Sequence, residues 1–321
     1  MKTEHRSAFA ALPPSPPRYG ETSWRGKQSL LAAALVGALA LTTATLRAQE
    51  QAASANGTVA LTNKVEAATG PALVEGGTPL NNEAELAKKL QNPIANLISA
   101  PIQNNFDFGA GPNGDGFQYL VRIQPVIPIS LSKDWNVISR TILPVVYQQN
   151  YIGTTSQWGL ADTLQSFFFS PTAPFHGWVW GAGPVFQFPT ATDSLLGMGK
   201  WGAGPTAVVL KQEHGWTYGG LVNHVWSFAG WGSQNVNNTY LQPFVAYTLK
   251  THTTFALNSE TSFNWQNDRW TVPLNMTVKQ LVKIGGAPVQ FEFGPRYYAA
   301  KPANGPNWGL RFTITFLFPK G

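Results

Sequence analysis

Apolar and polar positions alternate strictly along residues 311–318, close to the end of the printed sequence. One face is wholly apolar and consists of Phe312, Ile314, Phe316 and Phe318. A period of two residues predicts a β-strand. An apolar row of this kind needs a protein core or lipid beside it, because in contact with water it would aggregate. Since Arg311 occupies the second face, we expect lipid on the apolar side, with a terminal strand of a soluble β-sandwich as the alternative.

The same alternation recurs from residue 101 onward, and no stretch of more than about ten residues keeps helical periodicity. We predict about twelve strands, and bacterial outer-membrane barrels require an even number. Short and longer gaps alternate between the strands. Such a barrel likewise has short turns at one rim and longer loops at the other. No internal sequence repeat is visible, which disfavours a propeller. The predicted fold is all-β, a single antiparallel transmembrane β-barrel over residues 100–321. The predicted strands are residues 101–109, 117–131, 135–149, 159–170, 177–190, 201–211, 216–228, 239–249, 253–264, 269–282, 288–299 and 307–318.

Nearly every charge within the predicted strands falls on the less apolar face. A charge that faced lipid at the middle of the bilayer would cost about 2–4 kcal/mol, so this face is predicted to line the lumen. Basic residues outnumber acidic ones there, which predicts a lumen of mixed charge with a positive bias. The alternative is mutual ion pairing that only fills a narrow barrel. The predicted lumen residues are Arg122, Gln124, Arg140, Asp162, Asn258, Glu260, Asn275, Lys279, Glu292, Arg296 and Arg311.

Tryptophan and proline mark the predicted strands in two further ways. Tryptophans recur near strand ends, where an interfacial aromatic belt would place them. They are Trp135, Trp158, Trp178, Trp201, Trp216, Trp231, Trp270 and Trp308.

Prolines within strands argue against a regular ladder, because proline has no N–H to donate. We expect β-bulges at these positions, which are Pro125, Pro128, Pro144, Pro184, Pro205, Pro243 and Pro273.

The first third of the chain has a different character. An apolar run over residues 29–45 follows Arg25 and Lys27, and it predicts a signal peptide, residues 1–48, with an uncleaved inner-membrane anchor as the alternative. Residues 49–99 are predicted to be a disordered periplasmic segment that ends in a short amphipathic helix. The apolar face of that helix carries Leu86, Leu90, Ile94 and Leu97. The helix could plug the barrel, cap its periplasmic mouth or bind a partner, and Pro93 is expected to end it.

Composition limits the chemistry. Charged residues make up 12% of the chain, about half of the ~25% usual in soluble domains. There is no cysteine, which excludes disulfides, thiol catalysis and cysteine-based zinc sites. The net charge of +6 is scattered, so nucleic acid is not expected as a partner. We predict no cofactor, no metal site and no enzyme activity, since soluble-enzyme motifs are absent.

Several stretches of the chain are characteristic of one family. They include I-Q-P-V-I-P at 123–128, W-N-V-I-S-R-T-I-L-P at 135–144, G-A-G-P-V-F-Q-F-P-T-A at 181–191, G-K-W-G-A-G-P at 199–205 and N-H-V-W-S-F-A-G at 223–230. The chain, over residues 85–320, resembles the Gram-negative outer-membrane proteins named for the meta-pathway of phenol degradation, which are often labelled transporters. The resemblance implies a barrel in the outer membrane and a role in the uptake of small, often aromatic or apolar, compounds.

The predicted function is passive or facilitated passage of small molecules across the outer membrane of a Gram-negative cell. The alternatives are a structural barrel without an open pore, or a lipid hydrolase in the barrel wall. A hydrolase would use Ser227, His224 and Asn223, but three neighbours on one strand do not share a face. The expected partners are outer-membrane lipid, a small-molecule solute and the barrel-assembly machinery.

Overall fold

The computed structural model describes residues 83–318, all within one compact unit, Glu75–Gly321. The predicted signal peptide and the segment that follows it to residue 82 lie outside the described residues. A short helix, α1 (Glu83–Lys89), precedes the strands. The strands are β1 Ile98–Ala110, β2 Gly116–Ile123, β3 Val126–Ser130, β4 Trp135–Gln149, β5 Ser156–Leu160, β6 Thr163–Pro171, β7 Trp178–Phe188, β8 Lys200–Glu213, β9 Trp216–Gly230, β10 Asn237–Thr248, β11 Thr253–Ser259, β12 Thr261–Asn264, β13 Arg269–Ile284, β14 Ala287–Ala300 and β15 Trp308–Phe318.

The strands form a closed antiparallel barrel. Three spanning strands are each interrupted once, so that β2 and β3, β5 and β6, and β11 and β12 are pairs of half-strands in a barrel of twelve. The barrel closes where β15 pairs with β1, in register from Ile98↔Phe318 to Phe108↔Trp308. The predicted all-β fold, a single antiparallel transmembrane barrel of about twelve strands, is confirmed.

The outer surface is apolar over much of its area. On β15, Phe316 and Phe318 are 40% and 51% exposed, whereas Arg311 on the opposite face is buried. The tryptophans named above are also exposed, from 38% for Trp178 to 76% for Trp158. An apolar outer band with aromatic side chains at strand ends is what a bilayer requires of a barrel. No helix within residues 83–318 is long and apolar enough to cross a membrane.

Prolines interrupt the ladders, but not always by a bulge. At Pro273 the pairing of β13 with β14 shifts register, as predicted. Pro184 and Pro205 instead face each other in the β7–β8 ladder without a shift, so the prediction of a bulge is wrong for them. The reason is geometric. In an antiparallel pair without mutual hydrogen bonds, the N–H position of each residue points away from its partner, toward the strand on its other side. Pairs are accordingly missing on both flanks, between β6 and β7 and between β8 and β9, while the register is the same on either side of each proline.

Candidate functional site

The lumen is crossed near its middle by an ion cluster around Glu260. This residue lies at the interruption between β11 and β12, where its N–H bonds the carbonyl of Pro273 instead of a regular ladder partner. Its carboxylate accepts from Arg122 on β2 at 2.9 Å and from Arg311 on β15 at 2.8 Å. Because β2 lies almost opposite β11 and β12 in the strand order, the Arg122–Glu260 pair spans the lumen.

One further ion pair and one cross-strand pair of opposite charges line the wall. Arg296 on β14 has its guanidinium 3.6 Å from Asp107 of β1, and both side chains are almost completely buried. Lys279 on β13 faces Glu292 of β14 in register. Sequence reasoning missed Asp107, although the period of two that runs through Gln103 and Asn105 also turns it inward.

The loop that follows β4 belongs to the rim with the longer loops, and it approaches the Asp107–Arg296 pair from that side. Burial raises the pKa of Tyr151, a residue of that loop, to about 12, and the negative charge of Asp107 acts in the same direction. By accessible surface Tyr151 is half-buried.

The remaining predicted lumen residues are held by neutral partners. Arg140 donates to Gln124 Oε1 at 2.9 Å, and within residues 83–318 no carboxylate lies within ion-pair distance of it. Asn275 is fully buried in the wall and donates to Asn258 Oδ1 at 2.8 Å. Asp162, at the interruption between β5 and β6, accepts from the backbone N–H of Met198 at 2.7 Å. Asp162 thus secures the long loop between β7 and β8.

Three cavities follow one another through the lumen. An outer cavity of about 290 Å³ lies near the long-loop rim, and a central cavity of about 350 Å³ lies below it. The two share lining residues Gln187, Asn238, Ser262 and Thr271. An inner cavity of about 190 Å³ shares Gln103, Gln124, Arg140, Gln242 and Glu260 with the central one. The ion cluster therefore stands between the central and inner cavities.

The inner cavity is closed at the short-turn rim by residues 83–97, called the plug below. Ile94 is buried among apolar side chains of the barrel interior, including Ile138 and Phe168. Ala87 is buried against Leu281 and Leu317, and the predicted apolar side chains Leu86, Leu90 and Leu97 pack around the same cluster. The helix ends at Lys89, before Pro93. Apolar packing is thus the main attachment of the plug to the barrel.

Polar contacts add to this attachment. Glu83 binds Lys283 at 2.9 Å and His252 at 3.1 Å, both on short turns or strand ends of that rim. The hydrogen bond from Lys283 lowers the pKa of Glu83, and the positive charges of Lys283 and His252 add to the effect. Gln212 donates to the carbonyl of Lys88 at 2.7 Å, and Lys279 donates to Gln91 Oε1 at 3.0 Å.

The candidate hydrolase residues do not assemble. His224 Nδ1 lies 2.7 Å from the hydroxyl of Thr239, and its ring packs against Trp226. The hydroxyl of Ser227 accepts from the N–H of Val236 at 2.9 Å. Asn223 lines the central cavity, on the opposite face of β9 from His224. These contacts fix the β9–β10 connection and do not place a base beside the Ser227 hydroxyl.

Comparison with known proteins gives the fold. No family model and no curated protein matches the sequence. Among solved structures, an outer membrane channel from Pseudomonas putida F1 is similar with a TM-score of 0.56 and 13% identity, over 70% of this chain and 96% of that one. Outer membrane phospholipase A from Escherichia coli has a TM-score of 0.41 and 11% identity, over 74% and 98%. The beta domain of the Bordetella autotransporter BrkA has a TM-score of 0.40 and 10% identity, over 69% and 99%.

The barrel of twelve strands, its likeness to the Pseudomonas putida channel and the apolar outer band define the class of the protein. It is an outer-membrane β-barrel, with membrane lipid around its wall and the cell outer membrane as its location. At such low identity the likeness is one of fold, so its function has to be argued from the lumen.

Proposed function

We propose that the barrel is a channel or transporter through which small molecules cross the outer membrane. The observation that carries this proposal is the series of three cavities with shared lining residues, which leads from the long-loop rim to the plug. A barrel with a purely structural role needs no such series, because its lumen can instead be plugged by loops or a helix.

The described conformation is a closed state in this proposal. A solute that has reached the central cavity meets the Arg122–Glu260 pair and then the plug. Passage therefore requires that the ion cluster rearranges and that residues 83–97 leave the short-turn rim. The plug is a short segment with a seven-residue helix, held by apolar packing and a few polar contacts. Such a small contact area is suited to opening without unfolding the barrel.

We further propose that the solutes are small and often aromatic or apolar, as the resemblance to the family named for the meta-pathway of phenol degradation implies. Lumen-lining roles are proposed for Arg122, Glu260 and Arg311 of the ion cluster and for Gln124, Arg140, Asn258, Lys279, Glu292 and Arg296. Recognition of β15 by the barrel-assembly machinery is also proposed.

A structural barrel without an open pore is the second candidate. The observation that favours it is the ion pairing itself, since Arg122 and Arg311 are both committed to Glu260. No catalytic role is proposed, because Ser227 and His224 are engaged in separate contacts.

Liposome swelling separates the two candidates. The full chain and a variant that lacks residues 83–97 are reconstituted and exposed to glycerol and to a pentose. If the barrel is a passage, deletion of the plug raises the swelling rate several-fold. A deletion of equal length at residues 60–74 is the control and leaves the rate unchanged. Liposomes that stay impermeable with both deletions would establish the structural barrel instead.

A further inference from the structure

Arg140 is a lumen cation that forms no ion pair. It donates to Gln124, and within residues 83–318 no carboxylate lies within ion-pair distance of it. Glu260, the acid of this layer, is already shared by Arg122 and Arg311. Arg122, Arg140 and Arg311 thus line the cavities around Glu260, and Arg140 is the one of the three that forms no ion pair. Away from bulk water an unbalanced charge is poorly screened, so a second anion at this level is strongly favoured.

On the long-loop side of Arg140, the adjacent part of the lumen wall carries two apolar side chains. Two residues further along β4, on the same inward face, lies Ile142, about 7 Å away for an extended chain. Ile142 pairs with Leu164 of β6, just as Arg140 pairs with Ser166. All four residues line the central cavity. A molecule that places a negative group on Arg140 therefore has its other end against aliphatic side chains on the long-loop side.

The size and donor chemistry of the cavity narrow the ligand further. A volume of about 350 Å³ lies at the lower end of the range of small-molecule pockets, roughly 300–1,000 Å³. That volume suits a compound with a single ring or a short branched chain. Arginine carries five N–H donors in a planar fork, and Gln124 accepts from one of its terminal nitrogens. The fork matches the two oxygens of a carboxylate.

We propose that the central cavity binds small organic monocarboxylates with an apolar or aromatic body. The carboxylate lies on Arg140, and the body packs against Ile142 and Leu164. The inference rests on the proposed function, since it names the class of solute that the passage would select. An inorganic anion would bind Arg140 without contacting the apolar wall. A neutral aromatic compound would pack against the apolar wall without binding Arg140.

Calorimetry on the full-length protein in detergent, at low salt, tests the site with three probes. Benzoate carries both features, inorganic phosphate only negative charge, and benzyl alcohol only the ring. We expect benzoate to bind at least about tenfold more tightly than either of the others, because each loses one part of the recognition. Equal affinity for benzoate and benzyl alcohol, or for benzoate and phosphate, would overturn the proposal.

Variants locate the binding. Arg140→Gln should weaken benzoate binding at least about tenfold, and Arg140→Lys should restore part of it, because lysine keeps the charge without the fork. Leu164→Asn should weaken benzoate several-fold and leave acetate unchanged, which keeps the test open if Arg140→Gln fails to assemble. Lys133→Gln, which removes a charge from an exposed short turn, is the control. Benzoate affinity that is unchanged in Arg140→Gln contradicts the assignment.

A failure of the binding site and a failure of solute passage give different results in these experiments. Benzoate that binds through Arg140 to a barrel without any solute flux supports the site and refutes passage. Solute flux through a barrel that does not bind benzoate refutes the site and leaves passage intact.

Discussion

Replacement of Glu260 by glutamine is the sharpest structural test of the ion cluster. The Glu260 side chain is 7% exposed, Arg311 is 3% exposed and Arg122 is 28% exposed. Glu260→Gln therefore leaves Arg311 as a buried cation without its ion-pair partner, while Arg122 retains some hydration. Removing one partner of a buried ion pair costs about 3–5 kcal/mol, and we expect a loss of unfolding free energy in this range.

The assay is urea unfolding of the protein refolded into lipid vesicles, followed by tryptophan fluorescence. The double variant Glu260→Gln, Arg311→Gln should recover part of the loss, because it removes the stranded charge as well. Glu213→Gln is the matched control, since Glu213 pairs with Lys211 at an exposed strand end and its loss should change stability little. Stability of Glu260→Gln equal to that of the control would refute the reasoning.

Three other predictions concern the wall, the plug and the leader. Phe316→Asp puts a charge on the lipid face of the closing strand and should abolish the heat-modifiable barrel, whereas Thr251→Asp on a short turn should not. Acid should loosen the N-terminal end of the plug: the Glu83 ion pair is present above the carboxyl's unfolded-state pKa and is lost as pH falls through its lowered folded-state pKa. A spin label on Lys88→Cys should gain mobility there, but show no pH dependence with Glu83→Gln. The mature chain should begin at Gln49 by mass spectrometry, and retention of residues 29–45 would contradict the predicted signal peptide.

The barrel could be predicted from the sequence because its determinants are local. The alternation at Phe312, Ile314 and Phe316 shows directly which face meets lipid, and each strand carries its own version of this pattern. The same period separates Arg122 and Arg140 from the outward side chains. Turn lengths and terminal tryptophans are likewise visible within a few residues of each strand end.

The contacts across the lumen could not be predicted in this way. Arg122 and Glu260 are 138 positions apart, and their meeting depends on strand order, barrel closure and the interruption beside Ser259. Such non-local geometry leaves no periodic signal in the sequence. The wrong prediction of bulges at Pro184 and Pro205 has a similar cause. The cost of a missing N–H depends on which neighbouring strand that position faces.

The central claim is that the lumen is a passage whose basic residues meet the solute, and the reversal potential in a salt gradient tests it most directly. The full chain, Arg122→Gln and Arg140→Gln are compared in planar bilayers, with Lys133→Gln as the control. The uncompensated positive charge should make the parent anion-selective, and each lumen substitution should shift the reversal potential toward cations with the barrel intact. No conductance in the full chain or in the variant without residues 83–97, or a reversal potential that neither lumen substitution moves, would contradict the account.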